Sequence, residues 1–298
     1  MKQVELGASG RKVGAIAYGC WRFAGDDVAR ADRKIRTAID LGMTLIDTAD
    51  IYGYGESAGF GGAETRLGQV FSAAPSLRSQ IVLATKGGVD LPRPYNGSRD
   101  YLTSAVDASL SRMGVDHIDL YQVHRPDLLA APVETARALE DMVTAGKVGF
   151  IGVSNYTPAQ ARALQAHLDV PVVSMQPELS VLQQSPIEDG VLDWCLETGA
   201  ACLCWSPLGG GRLFQETQPA DVRLARVLDT LDRLAGPYSA DRAQLALAFI
   251  MRHPARTIPI IGTQRPERMQ SLANASSITL DARHWYDIVE AYRGVPMP

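Results

Sequence analysis

The chain has 298 residues, of which 46% are apolar and 21% charged, with a formal net charge of -4. A composition of this kind excludes a disordered chain, and a protein this long buries enough surface to fold without disulfides or metals. Charges of both signs are interspersed, so neither nucleic acid nor an anionic membrane is expected as a partner.

The start, Met1-Lys2-Gln3-Val4-Glu5-Leu6, has no apolar signal core. No later segment approaches the roughly 20 apolar residues of a membrane span, so a cytoplasmic protein is expected. The four cysteines, Cys20, Cys195, Cys202 and Cys204, read as reduced structural thiols. Cys202 and Cys204 alternate on one face of a strand, but no other ligand type accompanies them, so no metal site is expected.

Val4–Leu6 and Val13–Ile16 flank a turn of small residues and predict a hairpin. A strand over Ile16–Gly19 leads into a helical stretch from Arg30 to Leu41, stopped by Gly42. Strands follow at Thr44–Asp47, Ile81–Thr85, Ile118–Val123, Val148–Val153, Pro171–Met175, Ala201–Trp205 and Ile258–Ile261. Helical spacing separates many of them: Val106, Leu110 and Met113, then Val133, Ala136, Leu139 and Val143. Further along come Leu224, Leu228 and Leu231, then Leu245 and Phe249. Thr157-Pro158-Ala159-Gln160 carries the cap, first-position proline and capping glutamine of a helix start. Trp285, Ile288, Val289 and Tyr292 predict a helix added after the repeat. No domain boundary is visible. The expectation is one α/β domain over residues 1–298, a (β/α)8 TIM barrel with an N-terminal β-hairpin and an extra C-terminal helix. An open doubly wound sheet usually carries G-x-G-x-x-G after its first strand, whereas this strand leads into Gly19-Cys20-Trp21-Arg22.

Barrel enzymes work at the C-terminal ends of their strands. Here those ends hold Trp21, Asp47, Lys86, His124, Ser154, Asn155, Gln176, Trp205, Gly262 and Thr263. Singly, each has an ordinary reading: Asp47 as a helix cap, Tyr52 as a loop anchor, Lys86 as a solvated charge, His124 as a structural histidine. Together they make a proton-transfer set. An ammonium beside Tyr52 stabilises its phenolate and lowers its pKa, Asp47 is a counter-ion for Lys86, and His124 can hydrogen-bond a substrate oxygen.

These segments resemble the aldo-keto reductases. Residues 42–53, Gly-Met-Thr-Leu-Ile-Asp-Thr-Ala-Asp-Ile-Tyr-Gly, look like that family's aspartate and tyrosine signature. Ala84-Thr85-Lys86 and Asp119–Pro126 match its lysine and histidine segments, and Gly146–Tyr156 its fifth-strand motif. His124–Asp127 and Trp205–Gly211 are similar to bacterial members. The resemblance implies carbonyl reduction to an alcohol, reversible, with NADP(H) preferred and NAD(H) possible. Tyr52 would be the general acid, assisted by Lys86, Asp47 and His124. The implied cofactor residues are Gly19, Trp21, Asp47, Ser154, Asn155 and Gln176, with Trp205 stacked on the nicotinamide. Ser206, Leu208, Gly210, Gly211 and Arg212 form the implied pyrophosphate loop, and Gly262, Thr263, Gln264, Arg265 and Arg268 the 2′-phosphate end. Many relatives carry a lysine where this chain has Gly262.

The implied substrate is a small-molecule aldehyde or ketone of moderate size, and Trp21, Arg22, Tyr54 and Arg125 are expected to line its pocket. Two other functions stay open: a cofactor-binding protein that regulates a partner, and a Schiff-base lyase with Lys86 as nucleophile. The sequence leaves the oligomeric state undetermined.

Overall fold

The computed structural model describes residues 1–214 and 221–298. Strands β1 (Gln3–Glu5) and β2 (Lys12–Gly14) form the expected antiparallel hairpin. Eight further strands close a parallel barrel: β3 (Ala17–Gly19), β4 (Leu45–Asp47), β5 (Val82–Gly87), β6 (Ile118–Val123), β7 (Val148–Ser154), β8 (Val172–Gln176), β9 (Ala201–Cys204) and β10 (Thr257–Ile261). Successive strands pair in chain order, and β10 returns to β3. This is the expected (β/α)8 architecture.

The helices are α1 (Val28–Asp40), α2 (Gly62–Ala73), α3 (Arg99–Met113), α4 (Pro132–Thr144), α5 (Pro158–Gln165), α6 (Ser185–Glu188), α7 (Val191–Thr198), α8 (Val222–Tyr238), α9 (Arg242–Met251), α10 (Pro266–Ala273) and α11 (Ala282–Arg293). The box at Thr157 forms as expected. Gln160 N–H donates to Thr157 Oγ1 at 3.2 Å, and Thr157 N–H donates to Gln160 Oε1 at 2.9 Å. The added helix α11 stacks Trp285 on Phe249 of α9 at 5.1 Å. Helix α2 lies where the sequence analysis places none. No side chain caps it at Gly61, and its inner face carries Glu64, fully buried and paired with Arg112 at 2.7 Å.

The barrel interior changes character along its axis. At the N-terminal end Leu6 and Val13 of the hairpin region pack with Ala17, Leu45, Val82, Leu120, Leu203 and Ile258 in one apolar cluster. Full burial of a leucine or isoleucine contributes roughly 1.5–3 kcal/mol, so this layer closes and stabilises the base. Because strand side chains alternate in direction, the inward residues two steps further along are the polar ones. Asp47 follows Leu45, Lys86 follows Ala84 and Gln122 follows Leu120. Room for this polar layer depends on Gly152 in β7: a Cβ there would lie 2.1 Å from Ser174 Oγ and 3.1 Å from Gln122 Cγ. Among the described residues no helix is long and apolar enough to cross a membrane.

Candidate active site

The polar layer centres on a buried ion pair. Lys86 Nζ lies 2.6 Å from Asp47 Oδ2, and both side chains are almost wholly buried. The ammonium also donates to the Thr48 carbonyl at 2.8 Å and to Tyr52 Oη at 3.2 Å, so each of its three N–H groups has an acceptor. Asp47 Oδ1 accepts from Gln176 Nε2 at 3.0 Å and from Gln122 Nε2 at 3.3 Å. A buried pair is favourable only when its remaining hydrogen-bonding capacity is met, and here both ends satisfy that condition. Asp47 is thus a counter-ion rather than the helix cap of its isolated reading. Lys86 sits one residue inside the end of β5 instead of terminating it.

Tyr52 lies on the loop after β4, half-buried, with its ring 5.0 Å beneath the Lys86 ammonium. His124 meets it edge-on at 6.0 Å and Trp21 covers its other side at 6.3 Å. The electrostatics correct one expectation. Burial pushes the Tyr52 phenol above its ordinary value, and the Lys86 ammonium, which pulls it down, offsets only part of that rise. The lysine is subject to the same competition. Burial lowers it, but Asp47 and Tyr52 together hold it above its usual range. At neutral pH the pair therefore presents a protonated phenol beside an ammonium. Burial, then the charges of Lys86 and Arg125, lowers His124 to about 3, so its imidazole is neutral.

A second hydrogen-bond chain shapes the wall. Ser154 Oγ donates to the Gln176 carbonyl at 2.9 Å. Asn155 donates from Nδ2 to Ser154 Oγ at 2.8 Å and to the His124 carbonyl at 3.2 Å. Its Oδ1 accepts the Trp205 indole N–H at 3.0 Å. Asn155 and Ser206 both adopt positive φ, at 59° and 53°, a conformation stabilised for Asn155 by these contacts.

Above this layer opens a cavity of about 730 Å³. Tyr52, His124, Arg125, Asp47, Trp21 and Arg22 line it near the polar layer, and Gly262, Thr263, Gln264, Arg265 and Arg268 line it near α10. Gly19, Ser154, Asn155, Gln176, Trp205, Ser206, Leu208, Gly210 and Gly211 also line it. Two residues singled out from the sequence fall elsewhere. Tyr54 is 59% exposed and outside the lining, because its short loop turns it to solvent. Arg212 is exposed and turns its Nε back to the Gly209 carbonyl at 3.1 Å, so its side chain is not part of the lining. Phe214, Ile260 and Ile261 line the cavity without a signal in the sequence, and Pro207 and Leu272 complete its wall. Phe214 carries the Arg268 guanidinium over its ring at 4.9 Å. Gln122 was also missed. The available signal was a lone amide two residues before His124, in step with Leu120 on the inward side of β6.

The cavity fits an extended anionic cofactor. Its volume lies within the range of about 300–1,000 Å³ typical of ligand pockets. Gly210 and Gly211 hold φ of 68° and 93°, with nothing within 4 Å of a Cβ built on either, so backbone there is open to a phosphate. Arg265 and Arg268 place two guanidinium groups at the far end. The four cysteines are free and buried. Cys202 Sγ and Cys204 Sγ lie 3.8 Å apart on the shared face expected of them, and burial raises the Cys20 thiol.

Comparison with known proteins places this geometry. The profile of the Aldo/keto reductase family matches residues 15–293. A 6-dehydroglucose reductase of Novosphingobium aromaticivorans is 45% identical, over 99% of this chain and 96% of the relative. A 6-dehydroglucose reductase of Agrobacterium fabrum is 35% identical, over 92% of each chain. The crystal structure of a thermostable aldo-keto reductase, solved with the inhibitor epalrestat, superposes with a TM-score of 0.83 at 25% identity, over 98% of this chain and 100% of that one.

Proposed function

The chain belongs to the Aldo/keto reductase family and is an oxidoreductase; from that premise we propose that it reduces aldehyde or ketone carbonyls reversibly with NADP(H), using Tyr52 as proton donor. The observation that carries this reading is the Tyr52 hydroxyl at the cavity wall, 3.2 Å from a lysine whose charge is fixed by Asp47. Ser154, Asn155, Gln176 and Trp205 hold the nicotinamide end. Gly210 and Gly211 take the pyrophosphate, and Thr263, Gln264, Arg265 and Arg268 take the adenosine 2′-phosphate. The hydride for the reduction comes from the bound nicotinamide dinucleotide.

The residues of the chain do the rest. His124, neutral, donates a hydrogen bond to the carbonyl oxygen and aims it at Tyr52. Tyr52 gives its phenolic proton to that oxygen as negative charge develops there. Its raised pKa keeps the proton in place through the neutral range. Lys86 stabilises the phenolate that remains, and Asp47, held by two glutamines, keeps Lys86 charged and aligned. In the oxidative direction the same phenolate accepts the proton.

The Schiff-base alternative meets an obstacle in the structure. Lys86 is 1% exposed, does not line the cavity and spends its three N–H groups on Asp47, Thr48 and Tyr52. A lysine nucleophile must be unprotonated and reachable.

The relatives named 6-dehydroglucose reductases direct the substrate reading towards a polyhydroxylated aldehyde. Trp21, 61% exposed at the mouth, offers a flat face for a sugar ring. Arg125 lines the cavity with no ion-pair partner among the described residues, and its donor fork suits neighbouring hydroxyls. The test is a turnover assay with NADPH and with NADH on 6-dehydroglucose, a simple aliphatic aldehyde and a ketone. NADPH-dependent turnover, highest with the sugar aldehyde, is expected. Turnover of none of them would contradict the reductase reading.

A further inference from the structure

The loop after β10 carries Thr263, Gln264 and Arg265, and three side chains of the β3–α1 unit reach across to hold it. Tyr18 Oη donates to the Thr263 carbonyl at 3.1 Å, and Arg22 Nη1 donates to the Gly262 carbonyl at 3.3 Å. The third is Lys34, on the inner face of α1. Its side chain is only 4% exposed, although it carries a full charge and does not itself line the cavity. Lys34 Nζ lies 2.5 Å from Asp26 Oδ2 and donates to Gln264 Oε1.

That last contact orients an amide. An ammonium has only donors, so the Gln264 group facing Lys34 must be its oxygen. The –NH₂ end is thereby turned the other way. One of its N–H groups reaches the Gly262 carbonyl at 3.1 Å, and the second is left for a ligand of the cavity that Gln264 lines. Without Lys34 the amide could reverse and present an acceptor, which repels a phosphate oxygen. We propose that Lys34, held by Asp26, is a positioning residue for cofactor choice, fixing Gln264 as a hydrogen-bond donor to the 2′-phosphate. It supplies from behind the loop a cationic influence where Gly262 brings no side chain. Buried ion pairs of this kind are weak contributors to stability. Their best use is to specify an arrangement.

The inference rests on the NADP(H) reading above, and its test keeps the two separable. Quenching of tryptophan fluorescence, with Trp21 and Trp205 in the cavity, reads binding of NADPH and of NADH without turnover. Lys34→Met is expected to weaken NADPH about tenfold, the worth of one hydrogen bond to a charged group, and to move NADH less than twofold. Asp26→Asn combined with Lys34→Met removes both buried charges, so it guards against misfolding and should show the same loss of preference. Gln264→Glu, which sets a carboxylate between Lys34 and the phosphate, is expected to invert the preference towards NADH. An unchanged NADPH-to-NADH ratio in folded Lys34→Met overturns the role of Lys34 alone. Equal weakening of both cofactors also overturns it, because that is the mark of a merely structural residue. A wild-type protein that binds NADPH no more tightly than NADH overturns this inference and the cofactor reading together.

Discussion

Tyr52→Phe deletes one oxygen atom and leaves its surroundings almost intact. The phenyl ring keeps its contacts with Trp21 at 6.3 Å and His124 at 6.0 Å. Lys86 loses its partner at 3.2 Å but retains Asp47 at 2.6 Å and the Thr48 carbonyl at 2.8 Å. The loss to folding is that of one buried N–H left without its acceptor, roughly 1–3 kcal/mol. The loss to catalysis is much larger. A positioned acid contributes about 10²–10⁴ in rate, equivalent to roughly 3–5 kcal/mol of transition-state stabilisation. The variant should show kcat/KM for carbonyl reduction lowered by that factor, followed by nicotinamide absorbance. Its NADPH Kd, from tryptophan quenching, should stay within twofold. A kcat/KM within tenfold of wild type would refute the assignment of Tyr52 as proton donor.

Other outcomes follow from the same geometry. Lys86→Met strands a buried carboxylate and should destabilise the fold by about 3–5 kcal/mol in denaturant titration, whereas adding Asp47→Asn should restore stability without restoring activity. Rescue of activity by the double variant would contradict the role of the ammonium. Because His124 is lowered to about 3 in the fold, the unfolded chain binds a proton that the folded one refuses between about pH 3 and 6.5. Stability should therefore drop as the pH is lowered through that window, by up to about 1.4 kcal/mol per unit, and His124→Gln should flatten that slope. Gly152→Ala forces its Cβ against Ser174 Oγ, 2.1 Å away, and should lower stability by about 1–3 kcal/mol, a loss that Ser174→Ala relieves.

Much of the barrel is legible before any coordinates. A buried parallel strand must be apolar nearly throughout, so the eight runs stand out, and the box at Thr157 announces α5 within a residue. Helix α2 is hidden for physical reasons. It starts from Gly61 with no capping side chain, and its buried face is interrupted by Glu64, whose partner Arg112 comes from α3. The residues proposed for proton transfer are visible as a set because four titratable groups share one end of the barrel. Their energetics are not. A sequence names the ammonium that lowers the Tyr52 pKa, but only the fold shows the burial that outweighs it. Side-chain direction is equally unreadable: Tyr54 and Arg212 sit in suitable loops and point away from the cavity. Lys34 reads as one more charged residue of an amphipathic helix until Asp26 and Gln264 are seen beside it.

The most direct test follows the hydride itself. NADPH carrying deuterium at both nicotinamide C4 positions is incubated with the protein and 6-dehydroglucose, and the product is analysed by mass spectrometry. The account predicts an alcohol with one deuterium on the former carbonyl carbon, formed by wild type and nearly absent with Tyr52→Phe. Product without deuterium, or trapping of Lys86 by borohydride in its place, would contradict it.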